Sequence, residues 1–100
     1  VKRATIHDLA KAEIDAAAAW YDRQRTGLGG KFLNAIEEAV ARVCNNPQMG
    51  SFVRATKFRY VLLHRFPYVL FCSETVVEVH VMAGAHAHRK PGYWKNRKSR

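Results

Sequence analysis

The apolar spacing of this chain changes once, between Asn46-Pro47 and Phe52. Before that point the apolar residues recur at helical intervals. After it they run in short β-branched and aromatic stretches, or alternate. A chain with such a break can bury its two halves only by laying helices on a sheet. In "GKFLNAIEEAVARVCNNP" the residues Phe32, Ile36, Ala39, Val40 and Val43 form one stripe, and Lys31, Asn34, Glu37, Glu38 and Arg42 mostly take the other faces. Asn46-Pro47 stops this helix, because a residue before proline is pushed out of the helical region. The segment "DLAKAEIDAAAAWYDRQR", Asp8 to Arg25, is an earlier helix with its cap at or near Asp8. Its apolar positions Leu9, Ala12 or Ala16, and Trp20 fall at helical spacing, and its alanines permit close approach to a neighbour. Gly27 can take a left-handed conformation and end it. A short Gly-rich turn then makes the two helices an antiparallel hairpin.

The second half reads as strands. "SFVRA" is short, while "KFRYVLLHRF" and "YVLFCS" carry aromatic and β-branched residues on either side of Pro67. Pro67 marks a bulge, a strand end or an edge. "VVEVHVMAGAH" alternates, with Val77, Val79 and Val81 on one side and Glu78, His80 and Met82 on the other. "KRATI", Lys2 to Ile6, is a candidate edge strand. The expected fold is α+β in the order β-α-α-β-β-β, a helical hairpin on one face of a twisted, mainly antiparallel sheet. The opposite face would then be open and concave, with Arg59 among its polar members, and would suit an anion.

One hundred residues make one domain, expected over residues 1–94, followed by a basic, disordered end over 95–100. Charge is strongly lopsided. Val1 to Met49 holds seven Lys/Arg against six Asp/Glu, and Gly50 to Arg100 holds ten against two. Such a field favours a polyanionic partner: nucleic acid, an acidic protein or an anionic surface. Cys44 and Cys72 lie in apolar stretches without a CxxC, so buried free thiols are expected. No window is long and apolar enough for a membrane span, and no signal-peptide pattern is present. A cytoplasmic protein is the expectation.

Taken in order, "DLAKAEIDAAAAWYDRQRTGLGGKFLNAIEEA", "NNPQMG", "FRYVLLHRFPYVLFC" and "VEVHVMAGAHAHRKPGYW" resemble the RelE/ParE family of toxins from bacterial type II toxin–antitoxin systems. The resemblance spans nearly the whole chain. Its most specific pieces are "WYDRQ", then Gly27-Leu28-Gly29 with Phe32, Ile36-Glu37 and Ala39, then "RFPY". It implies the same β-α-α-β-β-β fold. It also implies a basic toxin that forms a hetero-oligomer with a cognate acidic, partly disordered antitoxin. One branch of the family, ParE-like, inhibits DNA gyrase. The other, RelE-like, comprises metal-independent endoribonucleases that cut mRNA at the ribosome. "HAHR" is similar to the ParE-like ending, and the added "KPGYW" to a plasmid-stabilisation subgroup. The chain therefore reads as ParE-like with gyrase as leading target, and RelE-like ribonuclease is the alternative.

Cleavage through a 2′-hydroxyl needs a base, an acid and cations at the phosphate. If the chain is a ribonuclease, His86, His88, Arg89 and Tyr93 are the catalytic candidates. Lys57, Arg59, Arg65, Arg89 and Lys90 are the candidates for binding nucleic acid or the target. Each has a plainer reading as well. The histidines can be ordinary surface residues, and two are too few for a metal site, so neither metal nor cofactor is expected. Tyr93 and Trp94 follow Pro91-Gly92 and are expected to fold back and cap the core. Trp20 and Tyr21 are expected to pack between helix and sheet. "GLGGK" lacks phosphate-loop spacing and reads as a turn between helices.

Overall fold

A computed structural model describes residues 1–54, 56–88 and 93–97. The elements are β1 (Arg3–Ile6), α1 (Asp8–Gln24), α2 (Leu28–Asn45), a single 3₁₀ turn (Pro47–Met49), β2 (Ser51–Phe52), β3 (Arg59–Leu62), β4 (Tyr68–Glu74) and β5 (Glu78–His86). The sheet order is β1-β5-β4-β3-β2, with β1 parallel to β5 and every other pair antiparallel. The expected α+β layout is present, with one strand more than the coarse order: the two-residue β2 pairs with β3 at Phe52 and Arg59.

The helices follow local chemistry with one change at each start. His7 caps α1, its Nδ1 accepting from the Leu9 N–H at 3.1 Å, and Asp8 sits in the first turn instead. Gly27 is left-handed at φ 90° and stands immediately before α2, which begins at Leu28. The Asp22 carboxylate accepts from the Gly27 and Gly29 N–H groups at 3.0 and 2.9 Å, so the turn is fastened from α1. The α2 stripe is buried as expected at Phe32, Ile36, Ala39 and Val43, with Val40 half-buried. The α1 stripe is not. Ala10, Ile14 and Ala18 are buried, whereas Leu9 and Trp20 are exposed. Alanine at so many positions leaves two adjacent faces nearly equal in apolarity, and packing selects the face that brings α1 closest to α2. A Cβ on Gly29 would lie 2.5 Å from the Ala18 carbonyl oxygen. Gly29→Val should therefore force the helices apart and cost about 2–3 kcal/mol, read as a lowered urea midpoint; an unchanged midpoint would show that the hairpin tolerates wider spacing.

The main core lies between the hairpin and the sheet and includes Phe32, Ile36, Tyr68, Leu70, Val79 and Val81. A second apolar layer lies on the other face: Phe58, Val69, Phe71, Met82, Ala83, Ala85 and Trp94. The expectation of an open, polar face is thus overturned. Trp94 is fully buried, stacked on Phe71 at 4.4 Å and edge-on to Phe58 at 4.9 Å. The tail does fold back, and by doing so it converts that face into a core. His80 is the one polar side chain buried among the described residues, and its Nδ1 lies 2.6 Å from Thr5 Oγ1 on the adjacent strand.

A bulge decides which side chains reach which face. Phe71 pairs with Ala83 but Cys72 pairs with Val81, so Met82 is an extra residue in β5. Val79 and Val81 face the helices, and Met82 and Ala83 both join the far layer. Beyond the bulge the phase is reversed. Gly84 returns to the helix side, against Tyr68, and His86 follows it.

Cys44 and Cys72 are both free and buried. Burial, with Cys44 adding to it, pushes the Cys72 thiol up to about 12, so it is unreactive.

Candidate functional site

The reversed phase opens a groove of about 530 Å³ between α1 and the end of β5. Small residues make the space: Ala16 and Ala17 on one wall, Gly84 and Ala85 on the other. Trp20 stands at its side with half its surface exposed, and His86 stands opposite. The Trp20 ring meets Tyr21 edge-on at 5.1 Å. Tyr21 packs inward against Phe32 and Phe66, both at 5.0 Å. Of the pair expected in the core, then, Tyr21 is half-buried and Trp20 is not. An exposed tryptophan beside an apolar groove is the kind of surface that a partner covers.

The same region contains an unguarded strand edge. β1 covers β5 only from Glu78 to Val81, so among the described residues no strand lies beside that edge from Met82 onward. Side chains satisfy it. Glu13 Oε1 accepts from the Gly84 N–H at 3.1 Å, the Tyr93 hydroxyl donates to the Gly84 carbonyl at 3.3 Å, and Arg97 Nη1 donates to the Met82 carbonyl at 2.9 Å. Arg97 also grips Glu13 with two bonds of 2.8 and 3.0 Å, side chains 13% and 19% exposed. Burial alone would raise the Glu13 carboxyl, but the Arg97 bonds, the Gly84 N–H and Tyr93 together hold it below the usual range. The Glu13 bond in turn raises Arg97 against the opposing effect of burial. This device blocks the edge from pairing with another chain. It also holds Arg97 against Glu13 and β5. Residues 98–100 lie outside the described residues.

The candidate residues divide between the two ends of the sheet. His86 ends β5, and the His88 N–H donates to His86 Nδ1 at 3.2 Å, with the rings 5.3 Å apart. Tyr93 is held on the β5 edge. Arg65 lies in the turn before β4, with a left-handed φ of 73°. Lys57 and Arg59 are at the far end. Arg59 is paired across β4 with Cys72, whereas His86 is opposite Tyr68, so about 13 Å of strand separates the two levels. Arg59 is also engaged locally. It donates to the Gly50 carbonyl at 2.6 Å and to Gln48 Oε1 at 3.2 Å, and its guanidinium lies 3.9 Å from the centre of the Phe52 ring. Arg89 and Lys90 lie outside the described residues. Among the described residues no three His, Cys, Asp or Glu side chains gather as a metal site would require, and no helix is long and apolar enough to cross a membrane. Glu13, Trp20 and Arg97 are the groove and edge residues that sequence reasoning missed. An exposed aromatic on α1 was a usable signal for Trp20; nothing local pointed to the pairing of Glu13 with Arg97.

Residues 4–89 match the sequence model of the ParE toxin of the type II toxin–antitoxin system parDE. The chain belongs to the ParE toxin family. A solved chain described as the chromosomal ParDE TA system from P. aeruginosa shares the fold. Its TM-score is 0.66 at 18% identity, over 87% of this chain and 97% of that one. No curated protein matches this sequence. The ParE match ends at residue 89, so Tyr93, Trp94 and Arg97, which close the far face and the β5 edge, lie beyond the matched segment.

Proposed function

We propose that this ParE-family toxin arrests growth by inhibiting DNA gyrase in the cytoplasm, and that a cognate acidic antitoxin neutralises it. The family match across residues 4–89 carries this reading. Two features of the site support it. The catalytic candidates His86, His88 and Tyr93 lie near the end of β5, while the binding candidates Lys57 and Arg59 belong to the other end of the sheet. Cleavage of a phosphodiester favours acid, base and phosphate-binding cations around one phosphate. The groove beside α1 is apolar and of the right character for the apolar face of an antitoxin helix or extended segment, and the net charge of +9 favours an acidic partner.

Induction of the chain alone, with plasmid supercoiling and mRNA 5′ ends followed together, tests the target. Gyrase inhibition appears as relaxed plasmid with intact mRNA. Discrete mRNA cuts with normal supercoiling would replace it with a RelE-like, metal-independent ribonuclease, in which His86→Ala, His88→Ala or Tyr93→Phe should abolish cutting. Trp20→Ala should weaken antitoxin binding by about 2 kcal/mol, roughly thirtyfold, with the toxin's own melting curve little changed. Equal affinity in calorimetry would place the antitoxin elsewhere.

A further inference from the structure

Lys2, Arg3, Lys11, Arg42, Arg59 and Arg97 each lie within 3.8 Å of a carboxylate. Arg25, Lys31 and Arg65 have no such partner among the described residues, and all three line one groove of about 750 Å³. The end of α1, the start of α2 and the turn between β3 and β4 enclose it. Glu38 is the single carboxylate of its lining, and it is already engaged, with Arg42 at 3.0 Å and His64 at 3.3 Å. Three exposed cations without a carboxylate partner among the described residues therefore line one concave surface, and their summed field there favours an anion. Arg65 is also the one described non-glycine residue with a positive φ, so the lip of the groove keeps a cation where glycine would be less strained.

The aromatic rings of the groove indicate which anion fits. Tyr21 and Phe66 meet each other edge-on at 5.0 Å, and both pack on Phe32, at 5.0 and 5.3 Å. Their faces are committed to the core and offer no platform for an unstacked base. What remains is a cationic surface suited to phosphates, with no stacking platform for a base. We propose that this groove binds the phosphate backbone of duplex DNA through Arg25, Lys31 and Arg65, independently of sequence. This goes beyond the gyrase reading and does not depend on it.

Fluorescence anisotropy with a labelled DNA duplex, titrated in salt with the purified toxin, tests the proposal. The variant Arg25→Gln/Lys31→Gln/Arg65→Gln should bind at least tenfold more weakly at low salt. Its slope of log affinity on log salt should fall by about 2.7, roughly 0.9 for each phosphate that is no longer neutralised. Arg54→Gln/Lys95→Gln removes two exposed cations outside the groove, neither with an ion-pair partner among the described residues, and should stay within about twofold of wild type. All three groove cations are exposed, so the variant should fold; its melting curve confirms that, and Lys31→Gln alone, with a slope decrease near 0.9, serves if it does not. Several results would overturn the proposal: no duplex binding by wild type, an unchanged slope in the variant, or an equal loss in the control pair. So would tighter binding of a single strand, or displacement by polyglutamate as effective as by unlabelled duplex; the latter would mark a surface for an acidic peptide.

Discussion

Trp94→Ala should be the most destabilising single substitution in this protein. The indole is fully buried, stacked on Phe71 and edge-on to Phe58, in a layer that contains few other large side chains. Truncating it removes the largest ring of that layer and leaves a cavity that short neighbours such as Ala83 and Ala85 cannot fill. The expected cost is about 4 kcal/mol. For a domain of this size that is a large share of the total stability, and it should lower the melting temperature by about 20 °C. Urea denaturation followed by circular dichroism measures it. A loss below about 1 kcal/mol would mean that the tail is only loosely seated.

The second large effect concerns Glu13 and Arg97. Arg97→Met removes two bonds to the carboxylate and one to the Met82 carbonyl. It leaves Glu13 mostly buried beside an unguarded strand. About 2–3 kcal/mol should be lost. Adding Glu13→Gln should cost less than it does in the wild-type background, because the stranded charge is gone, and a double-mutant cycle reads that difference directly. The pair also predicts a pH dependence. A carboxyl whose folded pKa is depressed contributes stability above its unfolded pKa and loses it as pH falls through the folded value. Wild type should therefore lose stability progressively below about pH 4.3, the ordinary glutamate value. Glu13→Gln should show a shallower acid decline. Parallel acid profiles for the two proteins would remove Glu13 as the cause of that decline.

Both effects arise in the last residues of the chain, but only the second is illegible locally, because Trp94 after Pro91-Gly92 reads as a cap on the core. "KNRKSR" reads as a solvated basic end because nothing in it is apolar. Arg97 is nonetheless anchored, since Glu13, far away in sequence, needs a cation and the β5 edge needs a donor. Such a pairing has no local signature. The α1 face was misread for a different reason. Alanine is small enough to lie in a core or at a surface, so Leu9 and Trp20 at helical spacing looked as good a stripe as Ala10, Ile14 and Ala18. The groove beside α1 follows from that choice, because the unused stripe leaves Trp20 outside.

By itself the sequence determined the elements and their layering. The α2 stripe, the Gly27 turn, Pro47 and the strand composition after Phe52 each act over a few residues, so each is legible locally. Family membership follows from the same ordered motifs. Only the tertiary structure decided which face β5 gives to which partner. The alternation of Glu78, His80 and Met82 carries His86 to the far side of the sheet if it continues unbroken. One extra residue at Met82 reverses it, and His86 arrives beside α1 and Trp20. A bulge is set by the pairing of two strands, β4 against β5, and a single strand's periodicity cannot encode it.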